Sequence, residues 1–159
     1  VSQAGEKLMH STRLAELGIT LPDVAAPVAA YVPALQVGNQ VWTSGQLPFV
    51  DGVLPATGKV GAEISPEDAA TYARQAVLNA LAAVDALVGI DAVTRVLKIV
   101  GFVASAEGFT GQPAVVNGAS HLVGEIFGDA GAHVRSAVGV AELPLSSPVE
   151  VELVVEIAH

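Results

Sequence analysis

The chain has 159 residues, the length of one ordinary domain and enough for one continuous hydrophobic core. Its formal net charge of -9, from 16 acidic and 7 basic side chains, would repel a phosphate backbone, so we expect no nucleic-acid partner. The composition is 52% hydrophobic and only 14% charged, yet no run reaches the roughly 18 apolar residues of a membrane-spanning helix. We therefore expect no membrane partner, and we expect self-association to bury the excess apolar surface.

Several kinds of site are excluded by missing residue types and motifs. The chain has no cysteine, which rules out disulfides, thiolate zinc sites and cysteine nucleophiles. The four histidines show no metal-ligand spacing, although His133 lies two residues from Arg135. No phosphate-binding loop, dinucleotide-binding glycine pattern, HExxH or GxSxG occurs. We predict no cofactor and no metal and, with neither cysteine nor a visible secretory signal, a cytoplasmic location.

In chain order, the first half predicts a short helix, a proline-containing strap, two strands, a loop and a long helix. Gly38 and Asn39 between the two strands favour a tight hairpin turn. Ser65 is a typical N-cap residue, and Gly89 is typical of the residue that follows a helix. These elements span residues 11–17, 21–33, 34–37, 41–44, 45–61 and 66–88.

The second half predicts a β-branched central strand, a second long helix and two more strands, over residues 93–104, 113–127, 136–141 and 149–158. Gly118 and Gly124 weaken the second helix, which suggests close packing against a neighbour. The last strand alternates apolar residues with glutamates, as a strand with one buried face does. The order of elements predicts one sheet with both long helices on one face. We set residues 1–20 apart as a partly helical N-terminal extension and treat 21–159 as a single domain.

Three segments form a recognisable set. The first is Tyr31 with the run WTSGQLP at residues 42–48, and the second is AVVN, ending at Asn117. The third is RSAV at residues 135–138, which leads through LP at 143–144 to VEVE at 149–152. In order and spacing this set resembles the YjgF/Rid family, once called the L-PSP endoribonuclease family, over residues 31–158.

The resemblance implies an α+β, chorismate-mutase-like fold, with one mixed β-sheet and two helices packed on one face. It also implies a homotrimer with ligand clefts between subunits. The activity it implies is hydrolytic deamination of enamine or imine intermediates derived from amino acids, giving 2-keto acid and ammonia without a cofactor. The expected partners are a second and third copy of the chain and a small carboxylate-bearing imine or keto acid. The N-terminal extension and the longer loop at 48–61 point to a divergent subgroup.

Carried over position by position, Arg135 corresponds to the arginine that binds the substrate carboxylate, and Glu150 to the acid that handles the attacking water. The other substrate-binding positions correspond to Tyr31, Ser44 and Asn117. Two positions depart from the family pattern. Ala137 stands where many members have cysteine, and Gly139 stands where an acidic residue is common, which affects the polarity of the cleft and the size of its substrate.

Without the resemblance, the same residues also fit structural roles. Arg135 alone fits a solvated surface arginine, although it opens a strand and is one of only seven basic residues. Glu150 fits an outward-facing solvated acid. A packed ring, a strand-end hydroxyl and a helical surface amide are the structural alternatives for Tyr31, Ser44 and Asn117. Two other functions stay open: a non-catalytic trimer that binds small carboxylate metabolites, and an endoribonuclease, which the older family name suggests and the acidic charge disfavours.

Overall fold

The computed structural model describes residues 9–24 and 30–159, which contain three α-helices and five β-strands. All eight were predicted, with ends that differ by at most two residues. The predicted strap at 21–33 lies partly outside the described residues, and its described parts form no helix. In chain order the elements are α1 His10–Glu16, β1 Ala34–Val37, β2 Gln40–Thr43, α2 Pro66–Val88, β3 Val93–Ala104, α3 Gln112–Phe127, β4 Val134–Val140 and β5 Val149–Ile157.

The five strands form one mixed sheet in the order β1-β2-β5-β3-β4. β1, β2, β5 and β3 pair antiparallel, whereas β3 and β4 pair parallel. A parallel pair needs a crossover connection, and α3 supplies it between β3 and β4. β4 is therefore an edge strand that lies beside its own crossover helix.

The start of α2 follows the predicted capping chemistry. The Ser65 hydroxyl accepts a hydrogen bond from the backbone N–H of Asp68 at 3.1 Å. Glu67 and Asp68 lie in the first turn, where the helix dipole favours negative charge. Gly89 follows the last turn with φ +82°, a backbone conformation that other residues rarely adopt.

Both long helices pack on one face of the sheet. Ile99, Gly101 and Val103 of β3 are buried beneath them, and the missing side chain of Gly101 leaves room for Val116 of α3. Gly118 has the close neighbour predicted for it, because a Cβ at this position would overlap the backbone carbonyl of Ala70 in α2. The same prediction is wrong for Gly124, whose Cβ position has no neighbour within 4 Å.

The opposite face of the sheet is not covered by helices, and we call it the open face. In β5 the predicted alternation is present: Val149, Val151, Leu153, Val155 and Ile157 lie on the helix-covered face, whereas Glu150, Glu152 and Glu156 point the other way, together with Val154. Several apolar side chains of neighbouring strands share the open face and are 42% to 67% exposed. They are Leu35, Val37, Trp42, Val134 and Val138.

α1, in the N-terminal extension, packs against the rest of the domain. The His10 ring stacks edge-on against Phe127 with centroids 4.6 Å apart, and its Nε2–H donates to the carbonyl of Val93 at 2.7 Å. The backbone N–H and hydroxyl of Ser11 both donate to the Asp91 carboxylate. Desolvation opposes ionisation of the exposed Asp91, but these hydrogen bonds, together with the interactions with His10, outweigh it and lower the pKa of Asp91. In the part of the chain that is described, no helix is long and apolar enough to cross a membrane.

Candidate active site

The guanidinium of Arg135 lies against the N-terminal half of α3. Arg135 pairs with Ile99 across β3 and β4, so its side chain leaves the sheet on the helix-covered face. Nη1 donates to Asn117 Oδ1 at 2.8 Å and to Ser120 Oγ at 3.2 Å, and Nη2 donates to the carbonyl of Pro113 at 3.2 Å. All three acceptors are neutral. Arg135 is thus a partly buried side chain whose orientation is set by neutral hydrogen-bond partners.

No acid within the described residues forms an ion pair with Arg135. Across residues 9–24 and 30–159 the ion pairs are Arg13 with Glu16, Lys59 with Glu142, and Arg74 with Glu125. A guanidinium has five N–H donors, and the three bonds described above leave the Nε–H and one hydrogen of Nη2. Two donors on one planar group match the two oxygens of a carboxylate.

A second pair of side chains continues the polar contacts of Arg135. Ser120 Oγ lies 2.9 Å from His133 Nε2, and His133 Nδ1 lies 2.7 Å from the carbonyl of Gly131. The proximity of His133 to Arg135 in the chain was visible from the sequence. Ser120 was missed, although it lies three residues after Asn117 and therefore on the same face of α3.

Glu150 lies on the open face of the sheet, opposite Phe102 of β3. A Cβ added to Gly45 would lie 2.7 Å from the Glu150 Cδ, so the glycine makes room for this carboxyl. Partial burial raises the pKa of Glu150, and the negative charge of Glu152 on the same face raises it further. Glu150 therefore points outward, as its structural alternative also requires, but its side chain is partly buried.

Ser44 and Tyr31 lie at the same end of the sheet as Glu150. The Ser44 hydroxyl donates to the carbonyl of Val32 at 2.6 Å, and its backbone N–H donates to the carbonyl of Pro33 at 2.8 Å. These bonds place Ser44 beside the segment that carries Tyr31. Tyr31 is 49% exposed, so its ring is not part of the buried core of its own copy.

Within a single copy of the chain, the residues of the expected site therefore form two separate groups. Arg135 and Asn117 lie on the helix-covered side of edge strand β4, whereas Glu150 lies on the open face of β5 with Ser44 nearby. β3 separates the two strands, and two strand spacings amount to about 10 Å before the opposite directions of the side chains are added. Arg135 and Glu150 of the same copy do not face one another.

Ala137 and Gly139, the two positions that depart from the family pattern, follow Arg135 along β4 and lie on the same helix-covered side of the sheet. Ala137 packs against the core. A Cβ at Gly139 would lie 2.8 Å from Gln112 Nε2 and 3.0 Å from Ser105 Oγ. Gln112 also donates to Ser105 Oγ at 3.1 Å, so neutral polar groups fill the space in front of Gly139. Within the described residues, no group of three or more His, Asp or Glu side chains could hold a metal ion.

These two groups of residues carry the motifs by which the sequence resembles the YjgF/Rid family. A family model described as "YjgF/chorismate mutase-like, putative endoribonuclease" matches residues 11–157. The chain belongs to this family. The YjgF/chorismate-mutase-like fold, with one mixed sheet, is accordingly the fold of this domain.

Individual proteins are similar to this one over nearly the whole chain. Protein TCP17 of Trypanosoma cruzi is 42% identical over 149 residues, covering 92% of this chain and 93% of that protein. The 2-iminobutanoate/2-iminopropanoate deaminase of Escherichia coli K12 is 34% identical over 136 residues, covering 86% and 94%. Among solved structures, protein Atu1372 of Agrobacterium tumefaciens, of unknown function, superposes with a TM-score of 0.86 at 41% identity, covering 94% and 92%.

Proposed function

We propose that this protein hydrolyses enamine and imine intermediates derived from amino acids, releasing a 2-keto acid and ammonia. The observation that carries the proposal is the hydrogen bonding of the Arg135 guanidinium. Neutral acceptors hold its guanidinium in place, no acid of the described chain neutralises it, and two of its donors are left for a ligand. That arrangement suits a small carboxylate. The named activity of the Escherichia coli relative, a deaminase of 2-imino acids, supports a substrate that carries both a carboxylate and a C=N bond.

In this mechanism Arg135 binds the substrate carboxylate as a bidentate pair and so fixes the position of the C=N carbon. Glu150 accepts a proton from water as the water oxygen adds to that carbon, and it passes the proton to the nitrogen. The carbinolamine hydroxyl then gives its proton to nitrogen through the same carboxylate. The C–N bond breaks, ammonia leaves, and the C=O bond of the keto acid forms. A carboxyl whose pKa is raised is better suited to accept and return protons near neutral pH.

We propose that the site is assembled between copies of the chain, with Arg135 and Asn117 from one copy and Glu150, Ser44 and Tyr31 from the next. The opposite directions of Arg135 and Glu150 in one chain support this arrangement. The exposed apolar side chains of the open face support self-association at that face, because surfaces of this kind are typical of interfaces. Two different patches meet in such a contact, and a ring of three closes it, which is the homotrimer that the family resemblance implies.

The direct test is to generate 2-aminoacrylate and related imines in situ, add the purified protein, and follow keto-acid release against a blank without protein. Release above the blank supports the deaminase. Pyruvate binding without turnover would replace it with the alternative of a non-catalytic carboxylate binder. RNA cleavage that persists through removal of contaminating nuclease would favour the endoribonuclease, against the net charge of -9. A monomer mass by light scattering at micromolar concentration would reject the shared cleft.

A further inference from the structure

We propose that Ser120 and His133 are positioning residues that orient the guanidinium of Arg135 for its ligand. The proposal rests on the proposed function, because it assigns a task to groups behind the carboxylate-binding arginine. Neither residue belongs to the set by which the sequence resembles its family. The two form a chain of hydrogen bonds that starts at Arg135 Nη1 and ends at the backbone carbonyl of Gly131.

The chemistry of the two end groups determines which atom donates and which accepts in each of these hydrogen bonds. The carbonyl of Gly131 can only accept, so the proton of His133 lies on Nδ1 and is donated across 2.7 Å. In a neutral imidazole the other nitrogen, Nε2, is then an acceptor. The Ser120 hydroxyl donates to Nε2 across 2.9 Å, and its oxygen keeps its lone pairs for Arg135 Nη1 at 3.2 Å. Each polar group in the chain has a partner of the opposite kind.

This direction matters because a serine hydroxyl can rotate. Without an acceptor behind it, the Ser120 hydrogen is free to turn towards the arginine, and the oxygen then presents a donor where an acceptor is needed. His133 removes that freedom by holding the hydrogen on the far side of Ser120 from Arg135. With Asn117 on the other hydrogen of Nη1, the guanidinium is held at one end, and its Nε–H and one Nη2 hydrogen are left for the ligand.

A different role for His133 fits the same two contacts, namely closing the turn between α3 and β4 through Gly131. Two substitutions separate the roles, because glutamine places its amide near the position of Nε2 and asparagine places its amide near that of Nδ1. His133→Gln keeps an acceptor for Ser120 and loses the bond to Gly131. His133→Asn keeps a donor for Gly131 and loses the acceptor for Ser120.

The experiment measures pyruvate binding by calorimetry and, with imine as substrate, KM and kcat separately. We expect Ser120→Ala and His133→Asn each to weaken pyruvate binding and raise KM about fivefold, the effect of one neutral hydrogen bond, with kcat within about twofold of the parent. We expect His133→Gln to stay close to the parent. The double variant Ser120→Ala/His133→Asn should bind pyruvate no more weakly than Ser120→Ala alone, because both changes break the same series of hydrogen bonds. His121→Asn, an exposed histidine of α3, is the matched control and should behave as the parent.

Each of the other outcomes overturns either the positioning role or the proposed function. If His133→Gln is the weaker of the two histidine variants, His133 closes the turn and does not position Arg135. Parent-like binding in both Ser120→Ala and His133→Asn rejects the positioning role while the proposed function stands, provided that Arg135→Ala still weakens binding strongly. Parent-like binding in Arg135→Ala rejects the proposed function itself. Thermal unfolding of each variant shows whether a loss reflects folding.

Discussion

Arg135 and Glu150 project from opposite faces of the same sheet, with β3 between their strands. In the proposed mechanism, this relationship separates the carboxylate-binding residue from the proton-transfer residue within each copy. It also makes the two parts separable by mutation, since neither side chain touches the other in its own chain. The first three predictions use that separation.

Replacing Arg135 should strongly weaken ligand binding and leave the fold intact. A charge-assisted hydrogen bond contributes about 1.5 to 3 kcal/mol, so loss of a bidentate pair in Arg135→Ala should weaken pyruvate binding about a hundredfold. Arg135→Lys should be nearly as weak, because an ammonium keeps the charge and lacks the planar pair of donors. Calorimetry with pyruvate measures the loss, and circular dichroism checks the fold. Unchanged affinity in either variant would move the carboxylate site elsewhere.

Replacing Glu150 should impair turnover and leave ligand binding nearly unchanged. Glu150→Gln keeps the size of the side chain and removes proton transfer, so we expect kcat to fall by about 10²-fold or more while pyruvate binding stays within a few-fold of the parent. Steady-state kinetics on in situ imine and calorimetry on the same preparation give the two values. If binding is lost and kcat is preserved, the roles assigned to Arg135 and Glu150 are interchanged.

Mixing the two inactive variants tests the shared cleft. If each cleft takes Arg135 from one copy and Glu150 from the next, random trimers of Arg135→Ala and Glu150→Gln chains contain both groups intact in about one quarter of their clefts. Unfolding and refolding an equal mixture should therefore restore about a quarter of the parent activity. Each variant refolded alone is the control. No recovery in a mixture shown to contain mixed trimers would place both residues in a site within one chain.

The stability of the protein should depend on pH through Glu150. Its pKa is raised in the folded state above the ordinary value of 4.5, by burial and by Glu152. The folded chain therefore binds this proton more readily than the unfolded chain, and stability falls as pH rises from about 4.5 through the folded-state value. Glu150→Gln does not titrate, so it should melt at a higher temperature than the parent at pH 7.

That difference should shrink as pH falls and vanish below about pH 4, where the carboxyl is protonated in both states. Thermal scans from pH 3.5 to 8 follow it. Glu107→Gln changes the charge equally at an exposed position away from the sheet, and it should not reproduce the trend. A parent that gains stability relative to Glu150→Gln as pH rises would show that the Glu150 carboxylate is stabilised in the folded protein.

The two glycines of α3 should respond in opposite ways to alanine. In Gly118→Ala the new methyl group meets the backbone of Ala70, so α2 and α3 must separate, which costs about 1 to 3 kcal/mol. In Gly124→Ala the methyl group meets nothing, and the higher helix propensity of alanine stabilises by about 1 kcal/mol. Thermal unfolding should show a fall of about 3 to 10 °C for the first and a rise of about 3 °C for the second. Equal effects would show that the backbones are not in close contact.

Local chemistry allowed most elements of this fold to be predicted from the sequence. Ser65 and Gly89 bound α2 because capping depends on a few adjacent residues, and both ends are where these residues predicted them. The alternation in β5 predicted which side chains face the helices, because the period of a strand is set by its own backbone. The resemblance to the YjgF/Rid family was inferred from short continuous motifs, and the family model that matches residues 11–157 confirmed it.

Only the tertiary structure decided how the site residues relate to one another. No local pattern distinguishes Gly118, which lies against Ala70, from Gly124, which has open space beside it. Likewise, no local pattern shows that Ser120 joins His133 to Arg135. The register of β4 and β5 against β3 determines the face of the sheet from which Arg135 and Glu150 project. A shift of one residue in either pairing would move the side chain concerned to the other face. Register is fixed by contacts between segments far apart in the chain, and these contacts exist only once the sheet and its two helices have packed together.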